Sequence, residues 1–263
     1  MKTQYFILAA VALLLTTSSF AQEKKTKYAA EVPPYLLTPD KVETDLLGDL
    51  EFFDGMPSEG TVNKAYDFLD LARGVETFLS GMPAASIYAM LEGLKDAGLK
   101  PGDLALFEGL MDARTLFLTA QSTTPYAFAE IDLKNGPMVV EIPGPVLGSL
   151  DDAFFRFVSD VGLTGPDQGK GGKYLFIGPD FEGDIPEGYF IAKSTTYRHW
   201  LFMRVFVKDG NLPESTRALR EGFRAYPLAQ ADNPPKQKIL DLSGQQFNTI
   251  HANNDYFYEE LNA

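Results

Sequence analysis

The sequence predicts an α+β fold, an N-terminal helical hairpin packed on a body of antiparallel β-strands. Two patterns carry that reading. Val62, Ala65, Phe68, Leu69, Ala72, Val75, Phe78 and Leu79 recur at three-or-four spacing, the period of one helix face. From Leu104 onward the apolar runs are short and β-prone, and the turn clusters between them leave no room for crossover helices. There is material for a core, with 45% hydrophobic residues and 20 Phe. The chain has no cysteine, so that core has to hold the fold without disulfides.

Residues 1–21 read as an export signal. Lys2 supplies the charge, Phe6 to Leu15 the apolar stretch, and Ser19 and Ala21 the small positions before a cut after Ala21. The apolar run falls short of the roughly 20 residues that a membrane span needs. The protein is therefore expected outside the cytoplasm, periplasmic or secreted, with no membrane span once the signal is gone. A flexible leader follows over 22–41 and one domain over 42–253. Within it, the apolar pieces of 42–53 bend around Gly48 as a small hairpin or bent strand. The first helix takes 61–80, capped by Thr61, ended by Gly81 and burying Phe68. The second takes 83–97, opened by Pro83 and closed by Gly98. Together they make a hairpin over about 61–97.

The β-sandwich or barrel is expected over about 104–242, with strands at 115–119, 126–133, 138–142, 154–161, 174–177, 189–192 and 200–207. Asn135-Gly136 signals a tight hairpin between the second and third of these, and Asp151-Asp152 reads as a turn. Residues 213–222 form a short helix, and 239–242 an edge strand. Residues 254–263 begin a helix too short to stand alone, so the sequence is expected to be incomplete there.

A formal charge of −13 sets the field against nucleic acid and anionic lipid. Two histidines, His199 and His251, cannot make a His-rich metal site, and neither a His-Glu-x-x-His nor a Gly-x-Ser-x-Gly motif is present. Gly165 to Lys170 is one residue short of a phosphate loop. Asp180, Glu182 and Asp184 alternate without the later glutamate of a calcium loop and fit a solvated acidic loop. No metal and no cofactor are expected.

The least ordinary feature is a pair of arginines inside apolar strands. Alternation places Trp200, Phe202, Arg204 and Phe206 on one face, and Phe154, Arg156, Val158 and Asp160 on another. A cation there needs an acid partner, a route to water, or an anionic ligand. The candidate binding residues are accordingly Arg156, Asp160, Arg204, Tyr126 and Trp200.

Leu50 to Ser58, Tyr66 to Asp70, Gly81 to Tyr88, the turn Gly169 to Tyr174 and the run Phe247 to Asn253 together resemble the family catalogued as domain of unknown function 1254. The resemblance implies a helical N-terminal part on a jelly-roll-like β-sandwich, export from a bacterial cell, and no established activity. It also implies a following β-rich region, domain of unknown function 1214, as the missing C-terminal partner. One departure is Thr123, which stands where many members carry an Asp in an Asn-x-Asp-Thr-x-Tyr run.

Two functional readings follow. The first is a small-molecule-binding or assembly module, since no nucleophile or metal signature is present. The second is an enzyme of unassigned class, holding a small anionic ligand with Arg156 or Arg204 and using Asp160 as base.

Overall fold

The structure is a computed structural model that describes residues 32–263; the expected export signal and residues 22–31 of the expected leader lie outside the described residues. The fold is mixed α and β, with sheets that are mostly antiparallel. The chain falls into two compact units that part in sequence between Leu71 and Ala72, inside the span read above as one domain.

In the first unit, β1 (Lys41–Thr44) and β2 (Gly48–Phe53) form the expected hairpin, with Gly48 at a positive φ of 68° in its turn. β3 (Met56–Pro57) adds to β2. The long helix Glu59–Asp96 starts here. Ser58, rather than Thr61, acts as its cap, accepting the Thr61 N–H at 3.2 Å. Thr61 instead pins β2, giving its hydroxyl to the Glu51 carbonyl and accepting the Glu51 N–H.

The two helices expected over 61–80 and 83–97 are one continuous helix, not a hairpin. Proline removes a single donor, here the partner of the Leu79 carbonyl, and Leu79 is exposed to water. Gly81 is a packing notch: a Cβ on it would lie 2.5 Å from Leu261 Cδ2. The helix ends instead at Gly98, whose φ of 85° suits a left-handed cap.

The second unit continues with β4 (Leu104–Phe107), β5 (Thr115–Leu116), β6 (Tyr126–Asp132), β7 (Met138–Ile142), β8 (Val146–Asp151) and β9 (Phe157–Gly162). It goes on with β10 (Gly172–Ile177), β11 (Phe190–Lys193), β12 (Arg198–Val205), a helix at Leu212–Gly222, β13 (Arg224–Pro227), β14 (Ile239–Asp241) and β15 (Phe247–Asn248). Six strands run in the order β14-β4-β6-β12-β8-β9 and four in the order β11-β10-β7-β13. Three pairs, β10 with β11, β4 with β14 and β5 with β15, are parallel, so the sheets are not wholly antiparallel.

β6 and β7 belong to different sheets, so Asn135-Gly136 is a crossing between layers rather than a hairpin. Gly136 still supplies the positive φ that the bend requires. Leu106, Ala129, Leu150, Leu201 and Met203 of the larger sheet share one core with Val140, Tyr174 and Phe176 of the smaller. On the other face of the larger sheet, Ile87, Met90, Leu91 and Leu94 of the long helix pack against Phe107, Phe128 and Trp200.

The last residues are helical over Tyr256–Asn262, and the surface that supports them is the long helix itself. Phe257 is fully buried, with its ring 4.8 Å from that of Phe78, and the Tyr258 hydroxyl donates to the Gly74 carbonyl at 3.1 Å. Among the described residues no helix is long and apolar enough to cross a membrane.

Candidate functional site

Strand register decides which of the candidate residues meet. Arg204 pairs with Tyr126, Trp200 with Glu130 and Asp151, Phe202 with Phe128 and Ser149, and Ser149 with Asp160. Directly paired residues share a face. Tyr126, Trp200, Arg204 and Asp160 therefore stand together on the side of the larger sheet away from the shared core. Tyr126 and Trp200 are buried there, while Arg204 is exposed and lies over two rings, 5.4 Å from the centroids of Tyr126 and Phe202. Its charge is accommodated by ring faces and water.

Arg156 does not join them. It precedes β9, and the register between β8 and β9 slips at Leu150/Asp151, which defeats the two-residue alternation from Phe154 to Asp160. Arg156 is tied to the buried Asp152, with Nη2 to Oδ2 at 2.7 Å and Nε to Oδ2 at 2.8 Å. Its Nη2 also donates to Thr195 Oγ1 at 3.1 Å.

Asp151, taken as a turn residue, instead ends β8 beside Ser149 and Asp160. Its carboxyl is pushed up to about 6, mainly by burial and in smaller part by the charges of Asp152 and Asp160, against the lowering effect of the Ser149 hydroxyl. The alternation Leu147, Ser149, Asp151 is the sequence signal for this strand, and the adjacent Asp151-Asp152 pair mimics a turn.

His199 is fully buried. Its Nδ1 lies 3.2 Å from the Ile131 carbonyl and its Nε2 2.6 Å from Ser194 Oγ. A carbonyl can only accept, so Nδ1 carries the proton and Nε2 accepts from the Ser194 hydroxyl. Burial pulls the pKa of this imidazole down, with the Ile131 hydrogen bond acting the other way. His251 sits apart, against Phe257.

A cleft of about 480 Å³ opens between the second half of the long helix and the loops above the larger sheet. Ala84, Ile87, Leu91, Phe154 and Leu261 give it an apolar wall, while Tyr88, Tyr197, Lys134 and Arg198 line it with polar groups. Arg198 is already committed, with Nε to Glu130 Oε1 at 2.7 Å and Nη2 to Glu92 Oε1 at 3.4 Å. Burial raises the Glu130 carboxyl, against the opposing pull of Arg198. Lys134 is exposed and has no acid partner among the described residues. Glu260, also in the lining, accepts the Ala252 N–H at 2.8 Å. The described residues contain no group of three or more His, Cys, Asp or Glu able to hold a metal ion.

Residues 102–227 match the family model described as protein of unknown function DUF1254. The match supports assigning this segment to the DUF1254 family. No curated protein matches the sequence. Among solved structures, the VPA0106 protein from Vibrio parahaemolyticus aligns with 14% identity and a TM-score of 0.45, over 70% of this chain and 45% of its own. The chain thus spans less than half the length of that protein. The DUF1254 segment holds Tyr126, Arg156, Asp160, Trp200 and Arg204, and also Ser194 and His199. The helical wall of the cleft lies before it.

Proposed function

We propose that this chain is an exported small-molecule-binding module, periplasmic or secreted, built on a jelly-roll-like sandwich. The observation that carries the binding reading is the 480 Å³ cleft, with its apolar wall and beside it Lys134, which has no acid partner among the described residues. Cavities of this size lined by apolar groups and a few polar ones are the usual form of a ligand site. The apolar part of the ligand lies against Ile87, Leu91 and Phe154, and an acidic end meets Lys134, since Arg198 is held by Glu130 and Glu92. Export rests on Lys2, the Phe6–Leu15 run and the Ser19-Phe20-Ala21 end.

N-phenyl-1-naphthylamine, which brightens in apolar sites, tests the cleft. A saturable fluorescence rise is expected, reversed more readily by decanoate than by decanol. Ala84→Trp fills the space and should remove the signal. An unchanged isotherm in that variant would place the probe elsewhere and end the reading. Intact mass from an exporting host should show a chain starting at Gln22.

A further inference from the structure

The buried Ser194–His199 pair plays no part in the cleft's binding, and its chemistry is that of an activated nucleophile. We propose that Ser194 accepts acyl groups, with His199 as its general base, and that the site hydrolyses small carboxylic esters.

Ser194 follows β11, where its N–H to the Ile177 carbonyl, at 2.9 Å, fixes the backbone. Its hydroxyl donates to His199 Nε2 at 2.6 Å. The Ile131 carbonyl holds the other ring nitrogen at 3.2 Å, the orienting place that a carboxylate fills in a Ser-His-Asp triad. A neutral imidazole in this tautomer can take the hydroxyl proton.

The residue after the nucleophile is placed to stabilise the charge that forms. The Thr195 N–H has no acceptor among the described residues, and such an N–H serves as an oxyanion donor in other serine hydrolases. Thr195 is exposed, so the nucleophile lies one residue beneath the surface and retains 7% of its own exposure. Ala153 and Tyr197, which line the cleft, flank this loop, and the Ala153 N–H donates to Thr196 Oγ1 at 3.2 Å.

In the step, Ser194 Oγ bonds to the ester carbonyl carbon and its proton passes to His199 Nε2. The carbon–oxygen bond to the alcohol breaks as His199 returns that proton to the departing oxygen. Water, deprotonated by His199, then attacks the acyl-serine; the bond to Ser194 Oγ breaks as His199 returns the proton to that oxygen, and the acid is released. The sum is ester plus water to acid plus alcohol. A preference for apolar acyl groups rests on the proposed cleft; the nucleophile itself does not.

A fluorophosphonate with a short ethyl group tests the nucleophile on the whole, unmodified chain. Digestion and mass spectrometry should find the adduct on Ser194, and p-nitrophenyl acetate hydrolysis should fall by at least about 100-fold in Ser194→Ala. His199→Gln should slow the labelling and flatten its pH profile. Failure of the folded protein to label, or an adduct on another serine, overturns the proposal even if Ser194→Ala does not fold. Naphthylamine binding reports on the cleft alone, so the two readings can fail separately.

Discussion

Arg156 reaches back four residues to Asp152 and closes an ion pair on a carboxylate whose side chain is only 4% exposed. Asp152 also accepts the backbone N–H groups of Phe154 and Arg156, at 2.8 and 2.9 Å, and the three bonds hold its pKa down against the effect of burial. Arg156→Met leaves a buried charge without its cation. It should destabilise by about 1–3 kcal/mol, at the lower end because the guanidinium is largely exposed and the two N–H donors remain. Arg204→Met removes only an exposed cation resting on two rings and should cost less than about 1 kcal/mol. Urea unfolding of the two variants tests the ranking. Equal losses would mean that Arg204 has an acid partner as firm as Asp152.

Asp151 gives a pH-dependent test with the opposite sign to most carboxylates. Its folded pKa, about 6, lies above the ordinary 3.8. The protonated form is therefore favoured by folding, and that contribution is complete below about 3.8 and lost as pH rises through 6. At pH 7.5 the ionised group is a burden, and Asp151→Asn should stabilise by about 1–2 kcal/mol once the shift is discounted for partial exposure. At pH 3.5 the variant and the parent should unfold alike. His199 acts in the other direction: its folded pKa is depressed, so stability present above about 6.5 is lost as pH falls. A stabilisation by Asp151→Asn that is the same at both pH values would show that the carboxyl is not burdened.

The strands were largely legible because two-residue alternation and turn residues are local properties. β7 falls on the expected 138–142, and β6, β10 and β12 are displaced by two residues or fewer at each end. Pairing was less legible, since nothing near Asn135-Gly136 says whether the next strand returns to the same sheet. The candidate face was half legible. Tyr126, Trp200 and Arg204 follow from alternation in β12 and its register with β6, whereas the slip at Leu150/Asp151 that removes Arg156 depends on the partner strand. The cleft joins Ala84 and Leu91 to Phe154, Tyr197 and Leu261, residues too far apart in sequence for any spacing rule to connect. Gly93 shows the same limit. It looks like an ordinary helix glycine, yet a Cβ there would stand 2.3 Å from the Asn248 carbonyl oxygen.

Helical periodicity likewise marks a stripe without saying which stretch of it is covered. The pattern from Val62 to Leu79 predicts that Phe68 is buried, but Phe68 is 39% exposed and Val75 and Leu79 more so. The residue that carries the packing is Phe257. It is fully buried between Phe78 at 4.8 Å and His251 at 5.4 Å, and Leu261, one turn on, fills the notch at Gly81. Truncating a buried aromatic removes its transfer energy and leaves a void, whereas an exposed one loses only partial contacts. Phe257→Ala should therefore destabilise by about 3–5 kcal/mol and expose the Tyr256–Asn262 helix to proteolysis. Phe68→Ala should cost less than about 1 kcal/mol. Chemical denaturation of both variants, with limited proteolysis of the first, tests the assignment. A loss above about 2 kcal/mol at Phe68 would mean that its ring is covered in solution.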